Sequence, residues 1–295
     1  MQVQSFVKLY SGDSLIQTLA DRVKNNQGRL FQIKGLVGSL DALVATALYE
    51  IDGQNHVFVM DGKEEAAYFH NDLQNLNPEQ EVLLFPTSYK KPYQLEETEN
   101  ANVLMRAEIL NRINNPLGKG ELIVTYPDAL AEKVINKRSL QQNTFAIMVG
   151  DKLDTQFMSE LLISYDFEKT DFVYEAGQFA IRGGIVDIFS YAHEMPYRIE
   201  LFGNEVESIR VFDVENQLSQ ENVERLSIIP NVQTKLLEEE RQSFVDFLPA
   251  DNTLIWFKDF GETQDIIAAF FAKAEENFEQ IVETSGGTQV ISNPQ

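Results

Sequence analysis

Over the first 143 residues, short apolar runs alternate with stretches whose apolar residues recur every three to four positions. Leu15, Leu19 and Val23 lie at helical spacing behind polar positions 12–14, which can cap a helix. The run 29–36 reads as a strand, and 40–52 as a helix with Leu40, Leu43, Val44, Ala47 and Leu48 on one face. Strands are predicted at 56–62, 81–86 and 121–127, and helices at 63–76, 102–113 and 128–136, the last with Asp128 as its N-cap. Strand and helix thus alternate through short connections. That order predicts an α/β domain with a parallel sheet covered by helices.

Near residue 144 the rhythm changes. A helix-like stretch at 155–167 is followed by strand runs at 172–184, 185–191, 197–203 and 204–216, separated only by turns. Gly203-Asn204 between two alternating runs signals a two-residue hairpin. We expect a smaller α+β domain with antiparallel strands at 144–230, flanked by domain 1 at 1–143 and its remainder at 231–295. In that remainder, 232–249 reads as a helix, 252–259 as a strand, and 262–287 as a long helix ended by Gly286 or Gly287.

Alternation also sorts the side chains of the strand run 197–202. Tyr197, Ile199 and Leu201 make a core face, which leaves Arg198, Glu200 and Phe202 opposite. In 179–182, Arg182 falls on the face away from Phe179 and Ile181. Two arrangements of that face are open from pattern alone. Arg182, Arg198 and Phe202 can form one exposed patch of guanidinium groups around an aromatic ring, residue types enriched at binding hot spots. Alternatively, the 144–170 helix covers Phe202 while Glu200, Glu205 or Glu207 pair with the arginines.

Composition narrows the chemistry. The 295 residues carry 46 Asp+Glu against 24 Lys+Arg, a formal charge of −22. A field this negative opposes nucleic acid and anionic lipid unless the basic residues cluster. There is no cysteine, so disulfides, thiolate metal sites and cysteine nucleophiles are excluded. His56, His70 and His193 are too scattered for a metal motif, and no run approaches 18 apolar residues. We expect no metal, no cofactor and no catalytic residue, and a cytoplasmic chain without a membrane partner.

The segment Gly35-Leu36-Val37-Gly38-Ser39-Leu40-Asp41-Ala42 lies between a predicted strand and a helix, where a phosphate loop would sit. Such a loop needs a glycine, a lysine and a hydroxyl at its end. Here those positions are Leu40, Asp41 and Ala42, and the Asp41 carboxylate would meet phosphate with like charge. Gly35, Gly38, Ser39, Leu40, Asp41 and Ala42 therefore read as a degenerate, non-functional phosphate loop.

Residues 177–219 resemble one family closely. The strings RGGIVDIF, PYRIELF and EVESIRVFD are similar to the N-terminal part of bacterial transcription-repair coupling factors (Mfd), a part related to the excision-repair protein UvrB. The degenerate loop fits that likeness, as does segment 85–110, which looks too short for the DNA-clamping hairpin of UvrB. The resemblance implies domains 1A, 2 and 1B, with domain 2 recruiting the damage-recognition protein UvrA through Arg182, Arg198 and Phe202. It implies that other domains of the longer protein pack against this region. It also implies that RNA polymerase, DNA and an ATP-driven motor are engaged only through segments not seen here, which makes this chain an N-terminal fragment. The alternative is an UvrB-like DNA-binding or nucleotide-hydrolysing domain.

Overall fold

The structure, a computed structural model, describes residues 3–25, 30–88, 100–116, 118–191, 193, 195–230 and 241–285. The chain divides into two compact units: Met1–Glu97 with Pro116–Glu132 and Leu248–Gln295, and Thr98–Asn115 with Lys133–Phe247. Both are α-with-β, and their sheets differ in kind. The first unit has a four-stranded parallel sheet and helices, and the second is built on antiparallel strands.

In the first unit the elements are α1 (Val3–Ser11), α2 (Ser14–Lys24), α3 (Leu40–Asp52), β1 (Asn55–Val59), α4 (Lys63–Leu76), β2 (Val82–Leu84), β3 (Leu122–Thr125), α6 (Pro127–Ala131), β14 (Thr253–Phe257) and α10 (Phe260–Ser285), numbered in chain order. The sheet order is β14-β1-β3-β2. Every residue of β1 and β3 is buried, as strands covered on both faces require. Asp13 caps α2 by accepting the Leu15 amide at 2.8 Å, and Gly53 ends α3 in the left-handed conformation at φ 62°.

Two expectations fail here. Residues 30–36 form no strand, and Leu30 and Ile33 lie exposed rather than packed in a core. The helix predicted over 128–136 starts one residue early at Pro127, with Tyr126 rather than Asp128 at the N-cap, and stops at Ala131. It stops because Glu132 turns extended, and its carboxylate accepts the Ser88 amide at 2.9 Å. The expected helix at 232–249 lies partly outside the described residues. Its described part is a short strand and one helical turn. The termination of the long helix at Gly286 or Gly287 and residues 89–99 of the 85–110 connection also lie outside.

The second unit contains α5 (Asn100–Asn114), β4 (Val134–Ile135), α7 (Lys137–Gln142), β5 (Phe145–Met148), α8 (Thr155–Ser164), β6 (Glu168–Lys169), β7 (Gln178–Arg182), β8 (Ile185–Ile188), β9 (Tyr197–Phe202), β10 (Glu205–Phe212), β11 (Ser219–Val223), β12 (Arg225–Ile228), β13 (Arg241–Gln242) and α9 (Phe244–Phe247). Six of these strands form a sheet in the order β11-β10-β9-β8-β7-β6, antiparallel except for the β6–β7 pair. Phe202 faces Glu205 across Gly203-Asn204, which is the two-residue hairpin predicted. One sheet face carries Phe179, Val186, Ile188, Ile199, Val206 and Ile209. This face packs with Met158 and Leu162 of α8 and with Ile147, Leu226 and Ile228 of the β5–β12 ribbon. The opposite face has only a small cluster of Val173, Ala180, Phe189 and Phe212.

His193 ties the second unit's loops to that ribbon. Its Nε2 donates to the Ser227 carbonyl at 3.1 Å, and its ring meets Tyr197 edge-on at 4.8 Å. Burial lowers its pKa from 6.5 to about 4, opposed by the Ser227 hydrogen bond and aided by the Arg112 charge. The folded protein therefore keeps the ring neutral where the unfolded chain takes up a proton. Stability should fall as pH drops from 6.5 to about 4 and level off below, by roughly 3 kcal/mol or slightly more for this group. Urea midpoints of wild type and His193→Asn across that range check it: the variant should lose this share of the slope, and equal slopes would refute it.

Candidate docking site

The β7–β8 turn is Gly183-Gly184, and each glycine has a separate reason. Gly183 has φ +61°, and a Cβ on Gly184 would stand 2.9 Å from the Leu201 carbonyl oxygen, because Leu201 donates its amide to Gly184 at 2.7 Å. This close approach brings β7, β8 and β9 into a register in which Ala180, Asp187 and Arg198 form one cross-strand row and Arg182, Ile185 and Glu200 the next. Phe202 stands one pleat further along β9. Ile199 is buried and Tyr197 and Leu201 pack against the core, so Arg198, Glu200 and Phe202 occupy the other face, as alternation predicts.

The organising group on that face is Asp187, which is completely buried (0% exposed). Arg198 grips it with two prongs, Nε to Oδ1 at 2.7 Å and Nη2 to Oδ2 at 2.9 Å. Arg182 donates from Nη2 to the same Oδ2 and from Nη1 to the Asp171 carbonyl. The remaining Nη1 of Arg198 donates to the Gln217 carbonyl at 3.0 Å, and its guanidinium lies 4.6 Å from the centre of the Phe212 ring. The pKa of Arg198 is raised, chiefly by the hydrogen bonds to Asp187, against the opposing effect of burial and with help from the Asp187 charge.

Exposure divides the three residues singled out in the sequence. The Phe202 ring is 80% exposed, so α8, which lies on the other face, does not cover it. The Arg182 side chain is 37% exposed and that of Arg198 only 16%. Arg198 is therefore not the freely exposed cation that alternation suggests, nor are the arginines paired with Glu200. Glu200 is held by Arg210 instead. Two residues carry no role that the sequence pattern reveals: Asp187 reads there as one acid without a recognisable partner. Asp187 could be found only through the β8–β9 register, which their eight-residue connection conceals. Phe172, whose ring lies 5.1 Å from the Arg182 guanidinium carbon, falls in the run 172–184 read as a strand, but the strand begins only at Gln178 and Phe172 stands in the loop before it.

The turn before α3 holds the other group of residues. Gly35 and Gly38 have φ of 86° and 63°. Ser39 donates its hydroxyl to Asp72 at 2.6 Å and makes no capping bond. Leu40 packs against the small cluster of Ile16, Val44 and Ala47, and Ala42 is buried. Asp41 accepts the Ala42 amide at 2.9 Å and pairs with Lys258 Nζ at 2.7 Å. The carboxylate thus uses one helix N-terminal amide and the nearest cation, the two kinds of partner a phosphate would need there. Among the described residues no group of three or more His, Cys, Asp or Glu could hold a metal ion, and no helix is long and apolar enough to cross a membrane.

The sheet that carries Asp187 lies wholly inside a segment that other proteins share. Residues 145–233 match the UvrB interaction domain. The chain is also similar to curated transcription-repair-coupling factors. It is 27% identical over 241 residues to that of Bacillus subtilis strain 168, covering 81% of this chain and 20% of the relative. It is 28% identical over 189 residues to that of Haemophilus influenzae, covering 63% and 16%, and 26% identical over 208 residues to that of Escherichia coli K12, covering 70% and 18%. The chain spans about a fifth or less of the length of these relatives. Within the UvrB interaction domain, the exposed Phe202 and the Asp187-bound arginines stand on the one sheet face that the main core leaves uncovered.

That network makes a stability prediction. Asp187→Ala should cost about 3 kcal/mol or more, because it strands the enclosed Arg198 without its counter-charge. Removing both charges with Asp187→Leu plus Arg198→Met should cost distinctly less, since two apolar residues replace a desolvated pair. Urea unfolding of the two variants decides it, and an equal loss in both would contradict the ion-pair account.

Proposed function

We propose that this chain is a docking module that recruits the damage-recognition protein UvrA, through the β7–β9 face of its UvrB interaction domain, in transcription-coupled nucleotide excision repair. RNA polymerase and DNA would be engaged by parts of a longer protein. The observation that carries the reading is an exposed Phe202 on the same sheet face as a fixed Arg182 guanidinium, within the residues that match the family described as the UvrB interaction domain. An exposed aromatic ring sharing one sheet face with a restrained cation, on a chain of charge −22, is a directional mark for a partner that presents carboxylates. The similarity to transcription-repair-coupling factors supplies the repair context.

In this reading the chain hydrolyses no nucleotide. The Asp41 carboxylate already takes the Lys258 ammonium and an α3 amide, so an incoming phosphate would meet a fixed negative charge.

Arg182→Ala plus Phe202→Ala removes the exposed groups and leaves the Arg198–Asp187 pair in place. In a calorimetric titration with purified UvrA, the double variant should bind at least about fiftyfold more weakly than wild type, on the scale of two hot-spot residues. Unchanged affinity would remove the site from the reading. A titration of the same wild-type chain with Mg-ATP should show no binding, and a saturable heat would instead favour the nucleotide-hydrolysing alternative.

A further inference from the structure

Four side chains share the open sheet face near the Gly183-Gly184 turn, and the geometry gives them unequal tasks. Phe172 is 49% exposed, and the Arg182 guanidinium lies over its ring. The loop that carries Phe172 is pinned to β7. The Thr170 amide donates to the Phe179 carbonyl at 2.9 Å, and the Thr170 hydroxyl donates to the Phe172 carbonyl at 2.9 Å. Arg182 in turn reaches back across this loop to the Asp171 carbonyl while its other nitrogen holds Asp187. The guanidinium is thus clamped from two sides and backed by an aromatic face. By contrast, Arg198 spends Nε, Nη1 and Nη2 on Asp187 and Gln217 and is enclosed over Phe212.

We infer that Phe172 is a further contact residue of the docking face, forming with Arg182 and Phe202 the surface that meets the partner, and that Arg198 is a positioning residue that acts through Asp187 on Arg182. This inference rests on the UvrA-docking reading above and refines it. A long flexible cation loses rotamer freedom on binding, and an arginine already ordered by a buried carboxylate, a backbone carbonyl and an aromatic ring loses less. A cation over an aromatic ring also presents one continuous amphipathic surface, in which the ring contributes apolar area and the guanidinium keeps outward donors for carboxylates. Phe202, one pleat beyond the Arg182 row, extends that surface along β9.

The two roles separate in a mutant cycle read by calorimetric titration of the full chain with UvrA. Phe172→Ala should weaken binding about tenfold and leave the urea midpoint near wild type, because a half-exposed ring adds little to the core. Arg198→Gln alone should weaken binding about as much as Arg182→Ala. Placed in an Arg182→Ala background, it should add less than twofold, since the group it positions is gone. A loss below twofold in Phe172→Ala, with Arg182→Ala and Phe202→Ala both weakened, would overturn the contact assignment and leave the docking reading intact. A further tenfold loss from Arg198→Gln in the Arg182→Ala background would make Arg198 a direct contact and overturn its positioning role. If Arg198→Gln fails to fold, Asp187→Leu plus Arg198→Met replaces it in both backgrounds, with the same two outcomes. Wild-type affinity in Arg182→Ala and Phe202→Ala alike would instead remove the docking reading itself.

Discussion

The second unit's open face depends on one carboxylate kept from water. Desolvating an ion costs several kcal/mol, and Asp187 has lost all contact with solvent. It persists because three N–H groups from two arginines converge on its two oxygens. The charge bookkeeping is local: two cations surround one buried anion, so the cluster keeps a net positive charge on a chain that is otherwise strongly acidic. The surplus is delivered to the side where Arg182 remains partly exposed. A positive point in a negative field draws carboxylates toward one location.

The geometry of that cluster follows from the strands beneath it. The main apolar face of the sheet is filled from below by α8 and by the β5–β12 ribbon, which fixes which way every side chain of β7–β10 points. A slip of one residue in β9 would bury Arg198 and expose Ile199, so the core enforces the register that sets Arg198 opposite Asp187. The glycine pair at the β7–β8 turn does the same from the end of the sheet. Hydrophobic burial on one face is therefore what aims the polar network on the other.

Much of this was legible in the chain. Periodicity located α3 and α4 and their strands, because each carries a full apolar face and a clear terminus such as Gly53. Alternation assigned Arg198 and Phe202 to their face because it needs only the pleat. What it could not supply was a partner across strands. The link between β8 and β9 is too long for its turn to fix register, so Asp187 looked like one more acid among 46. Phe172 belongs to a loop placed by hydrogen bonds from Thr170, a local device that strand periodicity does not reveal: the run 172–184 reads as one strand, but β7 starts only at Gln178. The missing strand at 30–36 failed for a related reason: alternation states which faces differ, but a buried strand also needs a core to pack against, and Leu30 and Ile33 lie exposed.

The two clusters of the chain solve the same electrostatic problem in opposite senses. Near α3, Asp41 has one ammonium for one carboxylate, and the pair closes on itself with an amide of its own helix. Such a site has no surplus positive charge to offer an anion, since the one ammonium is matched by the Asp41 carboxylate. Around Asp187 the count is two guanidinium groups for one carboxylate, and a planar five-donor cation cannot be exhausted by one shared oxygen and one carbonyl. The same chain thus carries a cationic position that is internally neutralised and another that is ordered but left partly unsatisfied. Recognition of an anionic partner requires the second condition and is disfavoured by the first, which is why the proposed docking is assigned to the antiparallel sheet rather than to the phosphate-loop turn.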